Sequence, residues 1–385
     1  MGITASLRFG RSLHAGFGRV NLTPFPCEPV AFNQPDAMNN ESANPPPGPV
    51  PHRRRPRYSG KNPRRFEEKY KEHNPERYAE TVARVMASGK TPAGMHRPIM
   101  VAEILEALAP RPGEVAADCT LGFGGHAREL LARLQPGGKL FGLDADPVEL
   151  PKTLERMRGL GFGPEEFTAR RSNFAGLPKV LAEAGIEGVD MILADLGVSS
   201  MQLDDPSRGF SLKLDGPLDM RMNPQRGQPA SALLERIRTD ALAMLLDENA
   251  DEPEAVAVAN ALAGKRFETT TALTTAIRSL HLRALGEDRE LTVRRVYQAL
   301  RIAVNDEFSS LDSFLRILPS CLKPGGRVAI LTFHSGEDRR VKKSFEAGSR
   351  AGSYSEIADE VIRPSVEERH SNPRSSSAKL RWARV

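Results

Sequence analysis

Three aspartates close short apolar runs in this chain: Asp118 after Val115-Ala116-Ala117, Asp144 after Leu140-Phe141-Gly142-Leu143, and Asp195 after Met191-Ile192-Leu193-Ala194. Apolar runs of this length ending in an acid read as buried parallel strands, which carry their carboxylates to the edge of the sheet where doubly wound folds bind ligands. The first run leads directly into Thr120-Leu121-Gly122-Phe123-Gly124-Gly125-His126. Gly122, Gly124 and Gly125 let backbone pass close to a ligand where a Cβ would collide, and a helix opening near His126 adds backbone donors. Alone, such a turn suits NAD, FAD or S-adenosylmethionine, or is merely a tight strand-to-helix connection. Asp144 lies 26 residues beyond Asp118, the interval at which a carboxylate reaches ribose hydroxyls. Two carboxylates at adjacent strand ends disfavour a pyrophosphate and suit a sulfonium and an ammonium, so the balance tips toward S-adenosylmethionine.

The elements that must position these residues alternate along the chain. Strands are expected at Val115–Cys119, Leu140–Asp144, Phe167–Arg170, Met191–Leu196, Val328–Phe333 and Lys379–Arg384, with helical stretches between most of them. That alternation predicts an α/β fold with a mainly parallel sheet covered on both faces. Between the fourth and fifth strands, Ala230–Leu246 and Glu254–Ala263 are rich in Ala and Leu, which predicts a small inserted helical domain. The expected division is an N-terminal extension over 1–90, a ligand-binding domain over 91–204 and 291–385, and the insertion over 205–290. In a helix starting near Val293, Arg294, Gln298, Arg301 and Asn305 share a polar face, either solvated or bound to RNA phosphates. Val296, Leu300, Val304, Phe308 and Leu311 supply an apolar stripe expected to pack onto the sheet.

Composition narrows the class. The 385 residues are 39% hydrophobic and 27% charged, ordinary for a globular chain, and no run approaches the 18 apolar residues of a membrane span. Cys27, Cys119 and Cys321 show no paired spacing, so neither a disulfide framework nor a zinc site is expected, and a reducing, cytoplasmic setting follows. The first 50 residues, with Pro45-Pro46-Pro47-Gly48-Pro49, are expected to be disordered. Arg8, Arg11 and Arg19 without any acid before residue 28 leave organellar import open, as Met38 leaves open a later translation start. From His52 onward the extension is a basic arm in which Arg53, Arg54, Arg55, Lys61, Arg64 and Arg65 interleave with Tyr58 and Phe66. That mixture suits nucleic acid or is a solvated tail. The net charge of +5 is a mild pointer to a polyanion.

Several blocks in fixed order then carry a resemblance. They are Asp118 to His126, Asp195-Leu-Gly-Val-Ser-Ser200, Gln202 to Asp205, Arg208-Gly-Phe210, Asp215-Gly-Pro-Leu-Asp-Met-Arg-Met222 and Phe333-His-Ser-Gly-Glu-Asp-Arg339. From about residue 95 onward the chain resembles the RsmH/MraW family. These are S-adenosylmethionine-dependent methyltransferases with a Rossmann-like sheet, acting on the exocyclic N4 amine of cytosine 1402 in the decoding region of 16S rRNA. The resemblance implies S-adenosylmethionine against Gly124, Gly125 and His126, Asp144 on its ribose, Phe174 near its adenine, and Asp195 and Gln202 near the transferable methyl. It implies catalytic roles for Asp195 and Asp219, and substrate contacts from Arg221, Arg294, Arg301 and His334. No metal is implied, the partner is 16S rRNA within the small ribosomal subunit, and a homodimer is left open. The chemistry suits Asp195: a cytosine amine has its lone pair delocalised into the ring, and an acceptor on its N–H localises that pair and aims it. Capping of the following turn is the plainer role for this carboxylate.

The sequence also departs from the family pattern. Asn249 to Asn260 lacks the basic helix usual there, which puts RNA docking through the insertion in doubt and shifts that expectation to the basic arm. Gly336 stands where leucine is usual, so a looser loop is expected, and Phe345 to Pro364 is short. Other readings kept open are methylation of another RNA or of DNA, and a catalytically silent assembly factor that retains S-adenosylmethionine as a structural ligand.

Overall fold

The computed structural model describes residues 98–281 and 289–385. The basic arm at 53–65 and the rest of the N-terminal extension to residue 97 lie outside the described residues. The acid-ended runs are strands of one seven-stranded sheet: β1 (Val115–Asp118), β2 (Lys139–Asp144), β3 (Phe167–Arg171), β4 (Val189–Asp195), β5 (Leu322–Thr332), β6 (Glu356–Ile357) and β7 (Lys379–Arg384). Their order is β3-β2-β1-β4-β5-β7-β6. The first five pair in parallel, and β7 runs antiparallel between β5 and β6. This is a Rossmann-like α/β architecture, and its order reverses between β1 and β4, where open parallel sheets leave a crevice at their carboxyl edge. Asp118 is in register with Leu193, and Asp195 with Leu331, so the acids arrive at that same edge.

Strand periodicity explains why the sheet is covered twice. Ala116, Leu140, Met191, Leu193, Ala329 and Leu331 point to one face and are buried under α1 (Val101–Leu108), α2 (Gly125–Leu134) and α3 (Glu149–Gly159). Their sequence neighbours Ala117, Phe141, Ile192, Ala194, Val328 and Ile330 point to the other face, against α4 (Leu177–Glu183) and two helices from beyond the insertion. Strands buried on both faces have to be apolar throughout, which is why they read as continuous runs rather than as alternation.

The insertion departs from expectation in its details. The stretch expected as one helix from Ala230 to Leu246 is two, α5 (Ala230–Arg236) and α6 (Thr239–Ala250), with Ile237 and Arg238 extended between them. After α7 (Ala255–Leu262) and α8 (Thr270–Arg278) come α9 (Arg289–Asn305), α10 (Glu307–Cys321) and α11 (Ser335–Arg350). The apolar stripe is therefore divided: Asp306, at φ 51°, breaks the chain between α9 and α10. Val293, Val296, Ala299 and Leu300 of α9 pack with α5 to α8 in a third core, while Leu311 and Phe314 of α10 pack on the sheet. The helical layer thus extends past residue 290, the expected end of the insertion. Gly336 does not loosen a loop. It is buried in the first turn of α11, where a Cβ would stand 2.6 Å from Cζ of Phe308, so the ring occupies the space a larger residue would need.

Candidate active site

A cavity of about 870 Å³ opens at the carboxyl edge of the sheet, at the reversal between β1 and β4. Gly125, His126, Asp144, Phe174, Asp195, Gln202 and Arg301 line it. Gly124, Asp219, Arg221, Arg294 and His334 do not.

The glycine turn is held from α3. Thr153 Oγ1 donates to the carbonyl of Gly122 at 2.6 Å, and Arg156 donates to the carbonyl of Phe123 at 2.7 Å while its guanidinium sits 3.5 Å from the Phe123 ring centre. Gly124 adopts φ 81° as the N-cap of α2, and a Cβ there would meet Thr153 Cγ2 at 3.0 Å and Met157 Sδ at 3.3 Å. Gly124 is thus required by backbone conformation and by packing on α3. His126 is buried, and its Nε2 donates to the carbonyl of Ile99 at 2.9 Å, which leaves Nδ1 as an acceptor, 3.7 Å from Oδ2 of Asp195. Burial lowers the pKa of this ring, so it stays neutral.

The acids differ in how they are held. Asp144 Oδ2 accepts from the amide of Gly122 at 2.7 Å and Oδ1 from that of Asp146 at 2.8 Å, which fixes the carboxylate while leaving lone pairs toward the cavity. Burial pushes it up to about 6. Asp195 has its backbone amide on Thr120 Oγ1, but its Oδ1 is buried without a hydrogen-bond partner. Burial, and after it the negative charge of Glu337, pushes this carboxyl up to about 7. Asp118 lies behind the wall, fully buried and raised to about 6 by burial. Phe174, just past β3, packs with its ring centre 5.2 Å from that of Phe314 and turns its remaining surface to the cavity.

Several residues expected at the substrate are committed elsewhere. Gln202 lines the cavity, yet its Oε1 accepts from the Ser199 amide in a capping box and its Nε2 donates to Asp146 Oδ2, so it secures the loop after β4. Arg221 donates Nε and Nη2 to the two oxygens of Asp219 at 2.8 and 2.7 Å, a closed pair beside the cavity rather than in its wall. Arg294 is exposed on α9, away from the cavity. Arg301 is bidentate to Glu307 at 2.9 Å through both Nε and Nη2, so it is no free phosphate contact. The polar face of α9 is likewise spent on the fold: Gln298 donates to the Asn249 carbonyl, and Asn305 bonds the Met222 amide and the Met220 carbonyl. His334 is the N-cap of α11, with Nδ1 accepting from the Glu337 amide and Nε2 3.1 Å from Glu337 Oε1.

Other residues of the wall escaped the sequence reading. Asn223 and Arg226 line the cavity where Arg221 was expected, and among the described residues Arg226 makes no ion pair. Buried Asp146 accepts from Arg208 at 2.7 Å and from Gln202, tying three segments of the loop region into one network. Glu337 lines the cavity from α11. Its position three residues after His334, with an N-cap before it, is the capping-box spacing that would have flagged its orientation.

Comparison with known proteins agrees over the same span. The model of the MraW methylase family matches residues 93–385. The chain is 52% identical over 342 residues to Ribosomal RNA small subunit methyltransferase H 1 of Lachnoclostridium phytofermentans, covering 86% of this chain and 93% of that protein. It is 50% identical to Ribosomal RNA small subunit methyltransferase H 2 of Alkaliphilus metalliredigens, covering 86% and 97%. It is 41% identical to Ribosomal RNA small subunit methyltransferase H of Geobacter sulfurreducens, covering 75% and 98%.

Proposed function

The chain belongs to the MraW methylase family, and from that premise we propose that it methylates the exocyclic N4 amine of a cytosine in the decoding region of 16S rRNA. S-adenosylmethionine supplies an electrophilic methyl group on a sulfonium centre. The residues present fit that donor: an acid with one unpartnered oxygen, an oriented carboxylate and an aromatic ring share one acid-lined cavity. Asp144 offers its remaining lone pairs to ribose hydroxyls, Phe174 offers a face to adenine, and Gly125 and His126 present the opening turn of α2 to the amino-acid end.

The observation that carries the reading is the Asp195 carboxyl at the end of β4, which lines the cavity with its side chain 27% exposed and one oxygen without a hydrogen-bond partner. An N–H of the target amine donates to this carboxylate, and the hydrogen bond both orients the nitrogen and localises its lone pair. Charge around the cavity supports an extruded nucleotide. Acids line the depth, while exposed Arg171 and Arg226 stand in the wall where phosphates would remain. A base within folded RNA has to be turned out of its stack, so the substrate we assign is the assembled small subunit in the cytoplasm. No helix among the described residues is long and apolar enough to cross a membrane.

The test is to incubate the protein with S-adenosylmethionine and unmodified small subunits, digest the RNA and map the product. N4-methylcytidine at one decoding-region position is the expected result. Methylation of a different base rejects the assigned target, and equal rates on a short free oligonucleotide reject the need for an assembled subunit.

A further inference from the structure

Asp195 has a second carboxylate for a neighbour at the sheet edge. β4 and β5 pair with Asp195 opposite Leu331, and the side chain of Glu337 folds back over the end of β5. There Glu337 Oε2 accepts from the amides of Phe333 at 2.8 Å and His334 at 3.4 Å. Glu337 is 3% exposed and lines the same cavity as Asp195. His334 Nε2 lies 3.1 Å from Glu337 Oε1, and the guanidinium near it is shared. Glu307 occupies Nε and Nη2 of Arg301 at 2.9 Å each, and Glu337 Oε1 is left 3.8 Å from Nη2. The same guanidinium reaches Gly197, where a Cβ would lie 3.8 Å from Nη1. A half-buried and a buried acid thus divide one guanidinium, and the buried one, Glu337, has the poorer share.

We propose that Glu337 is a positioning residue for methyl transfer: held over the end of β5 with its charge incompletely cancelled, it makes the Asp195 carboxylate the acceptor of the proton that the target amine releases. The proposal rests on Asp195 receiving that amine. The nitrogen lone pair forms the bond to the methyl carbon, the carbon–sulfur bond breaks with its electrons going to sulfur, and an N–H proton passes to the carboxylate of Asp195. Positive charge moves from sulfur through nitrogen to the carboxylate, so the step balances without another reactant. A neighbouring negative charge favours the protonated acid, and a proton acceptor works best when its pKa lies near the operating pH. The other groups facing Asp195 do not cancel this effect. His126 of α2 is kept neutral by burial, Asp118 of β1 is itself acidic, and Arg301 of α9 is engaged by Glu307 of α10. Although burial opposes its charge, Glu337 is held below the usual range by His334, Arg301 and the Phe333 amide, and so stays ionised.

Glu337→Gln removes the charge and keeps an oxygen for the Phe333 amide. Two readings are needed. The first is the titration of the Asp195 carboxyl by ¹³C NMR on the full chain without RNA, assigned with Asp195→Asn. The second is the pH profile of single-turnover methylation of small subunits. In Glu337→Gln both the titration midpoint and the acid limb of the rate should fall by about 0.5–1 pH unit, and the plateau rate should drop about 3–10-fold. Glu307→Gln leaves more of the Arg301 charge to Glu337 and should move both readings the same way by less, which keeps the proposal testable if Glu337→Gln does not fold. An unmoved midpoint in a folded variant overturns the proposal, as does a shifted midpoint with an unmoved rate profile. If the wild type fails to methylate small subunits while its midpoint still responds to Glu337→Gln, the assigned substrate falls and the electrostatic hold of Glu337 on Asp195 stands.

Discussion

Two polar groups at the sheet edge and two in the helical layer are held in opposite ways. In the helical layer they are matched to partners: Tyr297 donates to the Thr270 carbonyl at 2.7 Å and lies 2.9 Å from Thr274 Oγ1, while Asn305 ties α9 to the backbone of Met220 and Met222. At the sheet edge Asp195 keeps an oxygen without a partner, and Glu337 has the weaker share of a guanidinium. Leaving a buried acceptor unpaired costs about 1–3 kcal/mol, so such a group persists where binding or chemistry uses it. The contrast separates residues that the order of motifs alone groups together. Asp195 and Asp219 both fall in recognisable blocks, but one is open and the other is closed by Arg221.

The largest effect should come from breaking the open side. Asp195→Ala is expected to slow single-turnover methylation at saturating S-adenosylmethionine by more than tenfold, toward the ~10²–10⁴-fold contributed by a positioned proton acceptor. Asp219→Ala should change the rate at saturating donor by less than about threefold, since losing an intraloop pair that is largely outside the chemistry mainly affects stability. Quenched-flow measurement of both variants on the same small subunits tests the contrast; equal losses would abolish it.

The open side should also cost stability, with a sign set by pH. Asp195 is lifted from an ordinary 3.8 to about 7. A carboxyl raised on folding contributes its full stability below about pH 4 and loses it as pH rises through 7, by up to ~4 kcal/mol. Asp195→Asn removes that loss. Its melting temperature should differ little from that of the wild type in its pH trend below pH 4, and should gain on the wild type between pH 4 and 7. Asp144, lifted to about 6 by burial, is present in each protein and drops out of the difference, whereas Asp118, lifted to about 6 by burial and in part by the Asp195 charge, shifts down in the variant and adds to the gain in the same direction. A pH-independent difference between the two melting curves would show that Asp195 ionises as readily folded as unfolded.

Asp144 tests the donor side of the same edge. Asp144→Ala removes an acceptor already aimed by two amides, and S-adenosylmethionine binding should weaken by about 1.5–3 kcal/mol, roughly 10–150-fold. Calorimetry on the folded variant measures this directly. An unchanged affinity would remove Asp144 from the ribose.

Much of the fold was legible because it depends on local pattern. Apolar runs ending in Asp118, Asp144 and Asp195 can bury both faces only in a covered parallel sheet, and each does become a strand. Breaks that depend on single backbone conformations were not legible. Asp306 at φ 51° divides α9 from α10, and the extended pair Ile237-Arg238 divides α5 from α6. The candidate site was legible in its frame, since strand ends fix where Asp144 and Asp195 lie. It was not legible in its partners. That Arg301 belongs to Glu307, that Gln202 belongs to Asp146, and that Gly336 makes room for Phe308 are outcomes of packing between segments remote in sequence or across a helix break. A polar residue on a helix face looks the same in sequence whether it meets a phosphate, solvent or a neighbouring carbonyl.

The smallest effect should come from the closed side. Tyr297 is 6% exposed in the helical core, and burial pushes its hydroxyl up to about 12, so it acts there as a neutral hydrogen-bonding group. Tyr297→Phe keeps the ring and deletes the hydroxyl, which leaves the Thr270 carbonyl without this donor and Thr274 Oγ1 without this partner. The expected cost is about 1–2 kcal/mol, or about 2–4 °C in melting temperature for a domain of this size. The rate of methyl transfer and the affinity for S-adenosylmethionine should be unchanged, because no cavity-lining group loses a contact. Thermal melting together with single-turnover kinetics decides the matter. A variant as stable as the wild type would show that the helical layer does not depend on this matched pair, and a stable variant with slowed methylation would place the helical core within the catalytic apparatus and erase the distinction between the two regions.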